Sequence, residues 1–302
     1  QINANNCTIR GCHIVSFVEH TYPGTTHYGL VSTGGTGNVI AYNEITLWDS
    51  FDGTDNSGYT PAGGVIPYWP VGVLLTGGSS TVYRNNIHDV NDLTYTTGGT
   101  HYIQGNYLHD PMFRTDDGDQ SGSTPAFWSH NDGFQCMGGT NHVLEGNSFE
   151  MKFSDLTGMP TTANPSPPPV EQVWRNCHGV LIQTHNAAIS GLSVTRNWFK
   201  YGSVCVRFAA GSFDPGGSVT LTGNRYTPDQ GQEFSTYQQM SIDPTTSWNS
   251  PVPSIDSSNV YSNDPDTPVG VRGLPLIGNP TGNPFTAGTT ESWAYNSGGH
   301  TP

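Results

Sequence analysis

Residues 130–150 read HNDGFQCMGGTNHVLEGNSFE, and two parts of that stretch recur elsewhere in the chain. Leu144-Glu-Gly-Asn147-Ser-Phe149 is one copy of an apolar-x-x-Asn-x-apolar unit. The same unit returns as Ile40-Asn43-Ile45, Val82-Asn85-Ile87, Ile103-Asn106-Leu108, Val194-Asn197-Phe199 and Leu221-Asn224-Tyr226. A further copy, Ile9-Cys12-Ile14, carries Cys where the others carry Asn. Gly133-Phe-Gln-Cys-Met-Gly138-Gly139 likewise matches Gly29-Leu-Val-Ser-Thr-Gly34-Gly35 and Gly72-Val-Leu-Leu-Thr-Gly77-Gly78. Thr97-Gly98-Gly99 fits the same frame without its leading glycine, and Gly179-Val-Leu-Ile-Gln-Thr keeps the front and loses the pair.

The step from Val82 to Ile103 is 21 residues, while Ile40 to Val82 is 42 and Ile103 to Leu144 is 41. A unit of about 20 residues with loop insertions explains those intervals. Within each unit, short alternating runs are separated by bends, and no 3.6-residue period occurs. Asn and Gly suit such bends, because they enter the left-handed backbone region at least cost. Asparagines in successive units can also stack their amides into a hydrogen-bonded ladder. Units this small cannot bury a face alone and must stack on one another. The expected fold is therefore all-β: a right-handed parallel β-helix, a solenoid of about 20-residue coils.

Insertions at 15–27, 46–70, 109–129 and 150–175 all follow the Asn-x-apolar corner, so long loops should leave one edge of the helix. Residues 1–227 form the expected β-helix domain, and its start in mid-pattern suggests that N-terminal coils are truncated. The recurrence stops after Asn224, and 228–302 reads as an irregular tail or cap rich in Pro, Ser and Asn.

Composition restricts the partners. Ten Lys and Arg face 24 Asp and Glu, for a net charge of -14, and only Lys152 and Lys200 are lysines. That balance argues against nucleic acid. No apolar run approaches the length of a membrane span. Cys7, Cys12, Cys136, Cys177 and Cys205 are odd in number and form no CxxC pair, which favours buried free thiols over a zinc site.

Aligning the units places chemistry-bearing residues in columns. The slot before the leading glycine holds Tyr28, Val71, Asp92, Asp132 and His178 in turn. Stacked carboxylates can divide acid and base roles, which makes Asp92, Asp132 and His178, with neighbouring His130, the candidate catalytic residues. Alternatively, an Asp there begins a strand by accepting backbone hydrogen bonds at the bend. A second column, after the Asn-x-apolar corner, holds Thr46, His88, His109, Glu150, Lys200 and Thr227 and should point outward. His88-Asp89 and His109-Asp110 are copies of each other. They are candidate substrate-binding pairs beside Glu150, or else a solvated polar stack. Trp48, Trp69 and Trp128 sit in or beside the loops, where they can bind sugar rings or glue the loops to the coil. Asp116, Asp117 and Asp119 are clustered carboxylates suited to calcium, though without EF-hand spacing; no other cofactor is expected.

The quoted stretch, together with HYGLVSTGGTGNVIAYNEI (27–45) and VGVLLTGGSSTVYRNNI (71–87), resembles right-handed β-helix repeat proteins. It is especially similar to minor tail and tailspike-like proteins of phages that infect actinobacteria. The resemblance covers about 5–227 and implies a virion or extracellular component that binds host cell-surface polysaccharide. It also implies a homotrimer in contact with other tail proteins. A distant similarity to polygalacturonase-like β-helix enzymes rests on Asn131-Asp132-Gly133 and Cys177-His178-Gly179. It implies the alternative of a polysaccharide-degrading enzyme, a glycoside hydrolase before a lyase, with Asp132 as acid. A non-catalytic structural stalk is the third possibility.

Overall fold

A computed structural model describes residues 1–15, 26–46, 68–111, 131–151, 177–183, 189–201, 204–208, 212–213 and 219–227. It also describes short strands at 238–242, 247–248, 254–255, 260–262, 273–275 and 292–294. Every regular element among these residues is a strand. The chain passes repeatedly through three sheets in the same order. The first sheet receives Thr26–Thr33, Tyr68–Leu75, Asp92–Thr96, Asn131–Cys136, Cys177–Ile182, Val204–Phe208 and Gln238–Ile242. The second receives Thr8–Arg10, Thr36–Ala41, Ser79–Tyr83, Thr100–Gln104, Gly139–Glu145, Ile189–Thr195 and Val219–Thr222. The third receives His13–Val15, Glu44–Thr46, Asn86–His88, Tyr107–His109, Ser148–Met151, Trp198–Tyr201, Arg225–Thr227 and Val260–Ser262. These strands pair in parallel with their neighbours one coil away. The result is a parallel-stranded solenoid, the arrangement of a parallel β-helix.

The repeat unit is visible as core plus corner. Its first apolar position (Ile40, Val82, Ile103, Leu144, Val194, Leu221) faces inward from the second sheet. Its second (Ile45, Ile87, Leu108, Phe149, Phe199, Tyr226) faces inward from the third. All twelve belong to one hydrophobic cluster. Phe149, Phe199 and Tyr226 stack successively, with ring centroids 4.9 and 5.4 Å apart.

The asparagine between them turns the corner. Asn43, Asn85, Asn106, Asn147, Asn197 and Asn224 form a continuous buried ladder. Each Nδ2 up to Asn197 donates to the next Oδ1 at 2.9–3.1 Å. Each Nδ2 also donates to a carbonyl of the coil below, such as Asn106 to Val82 O at 2.9 Å. Cys12 contributes only its backbone N–H, donated to Asn43 Oδ1 at 3.0 Å, and so ends the ladder.

The left-handed conformation belongs to the residue before each asparagine and not to the asparagine itself. Gly11, Tyr42, Arg84, Gly105, Gly146, Arg196 and Gly223 all have φ between 51 and 66°. The asparagines are there to satisfy backbone groups that the corner leaves without ladder partners.

Strand pairing also runs past Thr227. Gln238–Ile242, Ser254–Ile255 and Val260–Ser262 add parallel strands to the first, second and third sheets. The end of the Asn pattern marks the end of the ladder, not of the stacking. Beyond that, Gly273–Pro275 pairs antiparallel with Val260–Ser262, and Ser292–Ala294 pairs antiparallel with Gln238–Ile242. Of the cysteines, Cys136 and Cys205 are buried free thiols, whereas Cys12 is exposed and Cys7 half-buried. Burial pushes the Cys136 thiol up to about 12, so it is inert.

Two glycines test the packing. A Cβ on Gly133 would meet Phe149 Cδ1 at 2.5 Å and Gly179 O at 2.6 Å, while one on Gly146 (φ 65°) would meet nothing within 4 Å. Gly146→Ala therefore carries only the left-handed penalty, about 1 kcal/mol. Gly133→Ala overpacks the core and costs about 2 kcal/mol or more. Urea unfolding of the two variants should rank them in that order.

Candidate functional site

Gly133 and Phe134 both face the interior, so the strand's alternation breaks and Asp132 falls on the outer side of the first sheet. Asp92, Asp132 and His178 share that column: Asp132 pairs with His178, and Asp92 falls in the same register one coil earlier. Asp132 N–H donates to Asp92 Oδ1 at 3.1 Å, and His178 Nδ1 lies 2.8 Å from Asp132 Oδ1. On the far side of the ring, Arg207 Nη1 approaches His178 Nε2 at 3.1 Å. A guanidinium only donates, so Nε2 is the bare nitrogen, and the proton on Nδ1 goes to Asp132. The imidazole is held neutral between a carboxylate and a guanidinium. Burial first, and the Arg207 charge second, keep its pKa well below 6.5. Tyr95 stands on the same side, and burial together with the charges of Asp92 and Asp132 raises its phenol.

Tyr28 does not belong to this column. It pairs with Pro70, and Gly29 is the residue opposite Val71. A one-residue irregularity between Thr36 and Asn38, where the next strands pair, accompanies that offset. Asp92, Asp132 and His178 are each 0 % exposed. Their contacts tie successive coils together, and in this arrangement no solvent reaches them.

The second constellation lies open on the outer face of the third sheet. His88 Nδ1 is 2.6 Å from Asp89 Oδ2, and His109 Nδ1 is 2.7 Å from Asp110 Oδ2. The two imidazoles stack at 5.0 Å, so the pairs are structural copies one coil apart. Asp89 and Asp110 hold φ of 53 and 44°, the bend that swings each carboxylate back to the preceding ring. Burial alone would lower the His88 pKa. Hydrogen bonds and charges from Asp89 and Glu44 outweigh it and raise the pKa above 6.5. His109 Nε2 reaches Asn86 Oδ1 at 2.7 Å.

Tyr107 stacks on His109 at 3.9 Å and donates its hydroxyl to Glu150 at 2.9 Å. Lys200 Nζ lies 3.4 Å from Glu150 and 4.0 Å from the Trp198 ring centroid. His88, His109, Glu150 and Lys200 thus share the expected outward column. Thr46 pairs with His88 in the same column but is 1 % exposed.

His130, Trp48, Trp128, Asp116, Asp117 and Asp119 lie outside the described residues. Trp69 lies on the strand Tyr68–Leu75, paired with His27. Among the described residues no group of three His, Cys, Asp or Glu is placed to hold a metal, and no helix is long and apolar enough to cross a membrane. Residue-type patterns had not pointed to Arg207, Tyr107 or Trp198. Tyr107 and Trp198 do recur directly after the ladder asparagine, and that slot would have exposed them. Arg207 meets His178 only through side-chain length, from three positions further along the next strand. Comparison of the chain with protein-family models, with curated proteins and with solved structures finds no match.

Proposed function

We propose that this chain is a carbohydrate-binding, right-handed β-helix of the virion-tail or extracellular type, which recognises cell-surface polysaccharide through the outer face of its third sheet. The observation that carries this reading is the exposed register of Tyr107, His109 and Glu150 beside His88 and Lys200. Tyr107 is 40 % exposed although it is a large aromatic on a regular strand. A sugar ring needs an accessible aromatic face flanked by fixed donors and acceptors; Tyr107 supplies the face, and His88, His109, Glu150 and Lys200 supply polar groups on successive coils. A bare stalk has no use for such a row. As in the tail proteins it resembles, the chain would work as a trimer with other tail components.

Binding to purified host cell-wall polysaccharide, followed by biolayer interferometry, tests the reading. Tyr107→Ala should weaken binding about tenfold, equivalent to roughly 1.4 kcal/mol. Unaltered binding by that variant would remove the third sheet from the reading.

A glycan-cleaving enzyme is the second reading, favoured by the Asp132–His178–Arg207 chain, in which a carboxylate fixes the tautomer of a neutral imidazole. Its burial weighs against it. Released oligosaccharide that disappears with Asp132→Asn would establish the enzyme. Binding without product, unchanged by Asp132→Asn, is the outcome expected of a binding protein.

A further inference from the structure

The corner between the second and third sheets carries side chains that its backbone does not favour. Of the seven corner residues in the left-handed conformation, four are glycine and three are Tyr42, Arg84 and Arg196. A large side chain costs more than glycine there, so these three are retained against the local backbone preference. Strain of that kind points to a use for the side chain itself.

Two of the three, Tyr42 and Arg84, build a band of cations and rings, and Arg196 adds a further cation to the same corner. Arg10 lies over the Tyr42 ring at 4.7 Å, Tyr42 meets Tyr83 edge-on at 5.5 Å, and Arg84 lies over Tyr83 at 5.2 Å. Further along the same corner, Arg225 and Lys200 both approach the Trp198 ring, at 5.6 and 4.0 Å. Six basic side chains are described: Arg10, Arg84, Arg196, Lys200, Arg207 and Arg225. All but Arg207 fall in this band, in a chain whose net charge is -14.

Pairing separates them into two kinds. Arg196 pairs with Glu145, and Lys200 with Glu150. Among the described residues, Arg10, Arg84 and Arg225 have no carboxylate partner. An acidic protein has carboxylates to spare, so three guanidiniums parked on aromatic rings are left open to an anion from outside. Their steps along the stack are unequal, the second twice the first. Arg84 stands two coils beyond Arg10, and Arg225 four beyond Arg84. At the roughly 4.8 Å spacing of parallel strands these steps are about 10 and 19 Å.

We propose that the edge between the second and third sheets binds an acidic polysaccharide that carries one anionic group on about every second sugar, with Arg10, Arg84 and Arg225 taking the anions and Tyr42, Tyr83 and Trp198 the ring faces. This deepens the carbohydrate reading above and rests on it. A nucleic acid fits less well, because it carries a phosphate on every unit and would meet Glu44, Asp89, Asp110 and Glu150 beside the band.

The test uses hyaluronan, which has one carboxylate per two sugars, its carboxyl-reduced neutral form, and a single-stranded oligonucleotide, each titrated against the whole chain. Hyaluronan should bind at least tenfold more tightly than the reduced form, with affinity falling as salt is raised. Arg84→Gln should lose about tenfold and Arg84→Lys should restore part of it, with the melting temperature unchanged because the side chain is exposed. Equal binding of the neutral polymer, insensitive to Arg84→Gln, would overturn the acidic ligand and leave the carbohydrate reading standing. Tighter binding of the oligonucleotide would overturn both. Failure to bind either polymer overturns this proposal, and the host-polysaccharide assay above then decides the carbohydrate reading alone.

Discussion

Asn106→Ala should destabilise the solenoid by about 4 kcal/mol, the largest single-residue effect we expect outside the hydrophobic core. The amide is used at every valence. Its Oδ1 accepts the backbone N–H of Asn85 at 2.9 Å and the Asn85 Nδ2–H at 3.0 Å. Its Nδ2 donates to Val82 O and to Asn147 Oδ1 at 2.9 and 3.0 Å. Truncation keeps the residue's own N–H on Asn147 Oδ1 but strands Val82 O and two donors of Asn85 in a dry corner. Each orphaned group costs about 1–3 kcal/mol. Asn106→Asp makes the sharper comparison. A carboxylate still accepts both Asn85 donors, but it cannot donate and turns an oxygen toward Asn147 Oδ1. Equilibrium urea unfolding at neutral pH should place the Asn106→Asp variant nearer to the alanine variant than to wild type. A loss under about 1 kcal/mol for both would show that the ladder decorates the corner without holding it.

That ladder explains why the architecture was legible in one sequence. Ile103, Asn106 and Leu108 are at once a sequence pattern, two core contacts and one hydrogen-bonded corner, so the motif and the physics coincide. Where they part, the sequence was silent. The column before the leading glycine went astray at Tyr28, because a one-residue offset between neighbouring coils is invisible to pattern matching. Asp92, Asp132 and His178 were correctly placed on one column, yet which side of the sheet they occupy depends on a break in alternation at Gly133. Only the packing of Gly133 against Phe149 reveals that break. The cation band was hidden for another reason. Arg10 and Tyr83 share one slot of the repeat and Tyr42 and Arg84 the next, but neither slot keeps one residue type from coil to coil, so a pattern of residue types passes over them.

Acidification from about pH 6.5 to 4 should remove more than about 3 kcal/mol of stability, and the source lies in histidines that no functional column contains. The slot two residues before the first apolar position holds Asn38, Ser80, His101 and His142 on successive coils, all buried. His101 Nε2 lies 2.7 Å from Gly98 O and His142 Nε2 lies 3.0 Å from Gly138 O, so both rings carry their proton on Nε2. His142 Nδ1 accepts the His101 backbone N–H at 3.2 Å. A second proton on His142 would meet that donor head-on. A second proton on His101 would find no acceptor, since among the described residues its Nδ1 has no partner. The rings also stack at 5.4 Å, where two positive charges repel. Burial and the neighbouring His142 push His101 down to about 4 against the Gly98 hydrogen bond, and burial moves His142 the same way. The unfolded chain takes up protons near pH 6.5, before the folded one does. Stability is therefore complete above that value and is lost as pH falls toward about 4. At about 1.4 kcal/mol per unit, His101 alone accounts for about 3 kcal/mol, and His142 and His178 act in the same direction. Carboxylates titrating below about pH 5 also contribute to acid unfolding, and His101→Phe separates the two. That variant loses the Gly98 hydrogen bond and is weaker at about pH 7.5, yet its stability should fall less steeply between about pH 6.5 and 5. Parallel curves for wild type and variant in that window would assign the acid sensitivity to carboxylates instead.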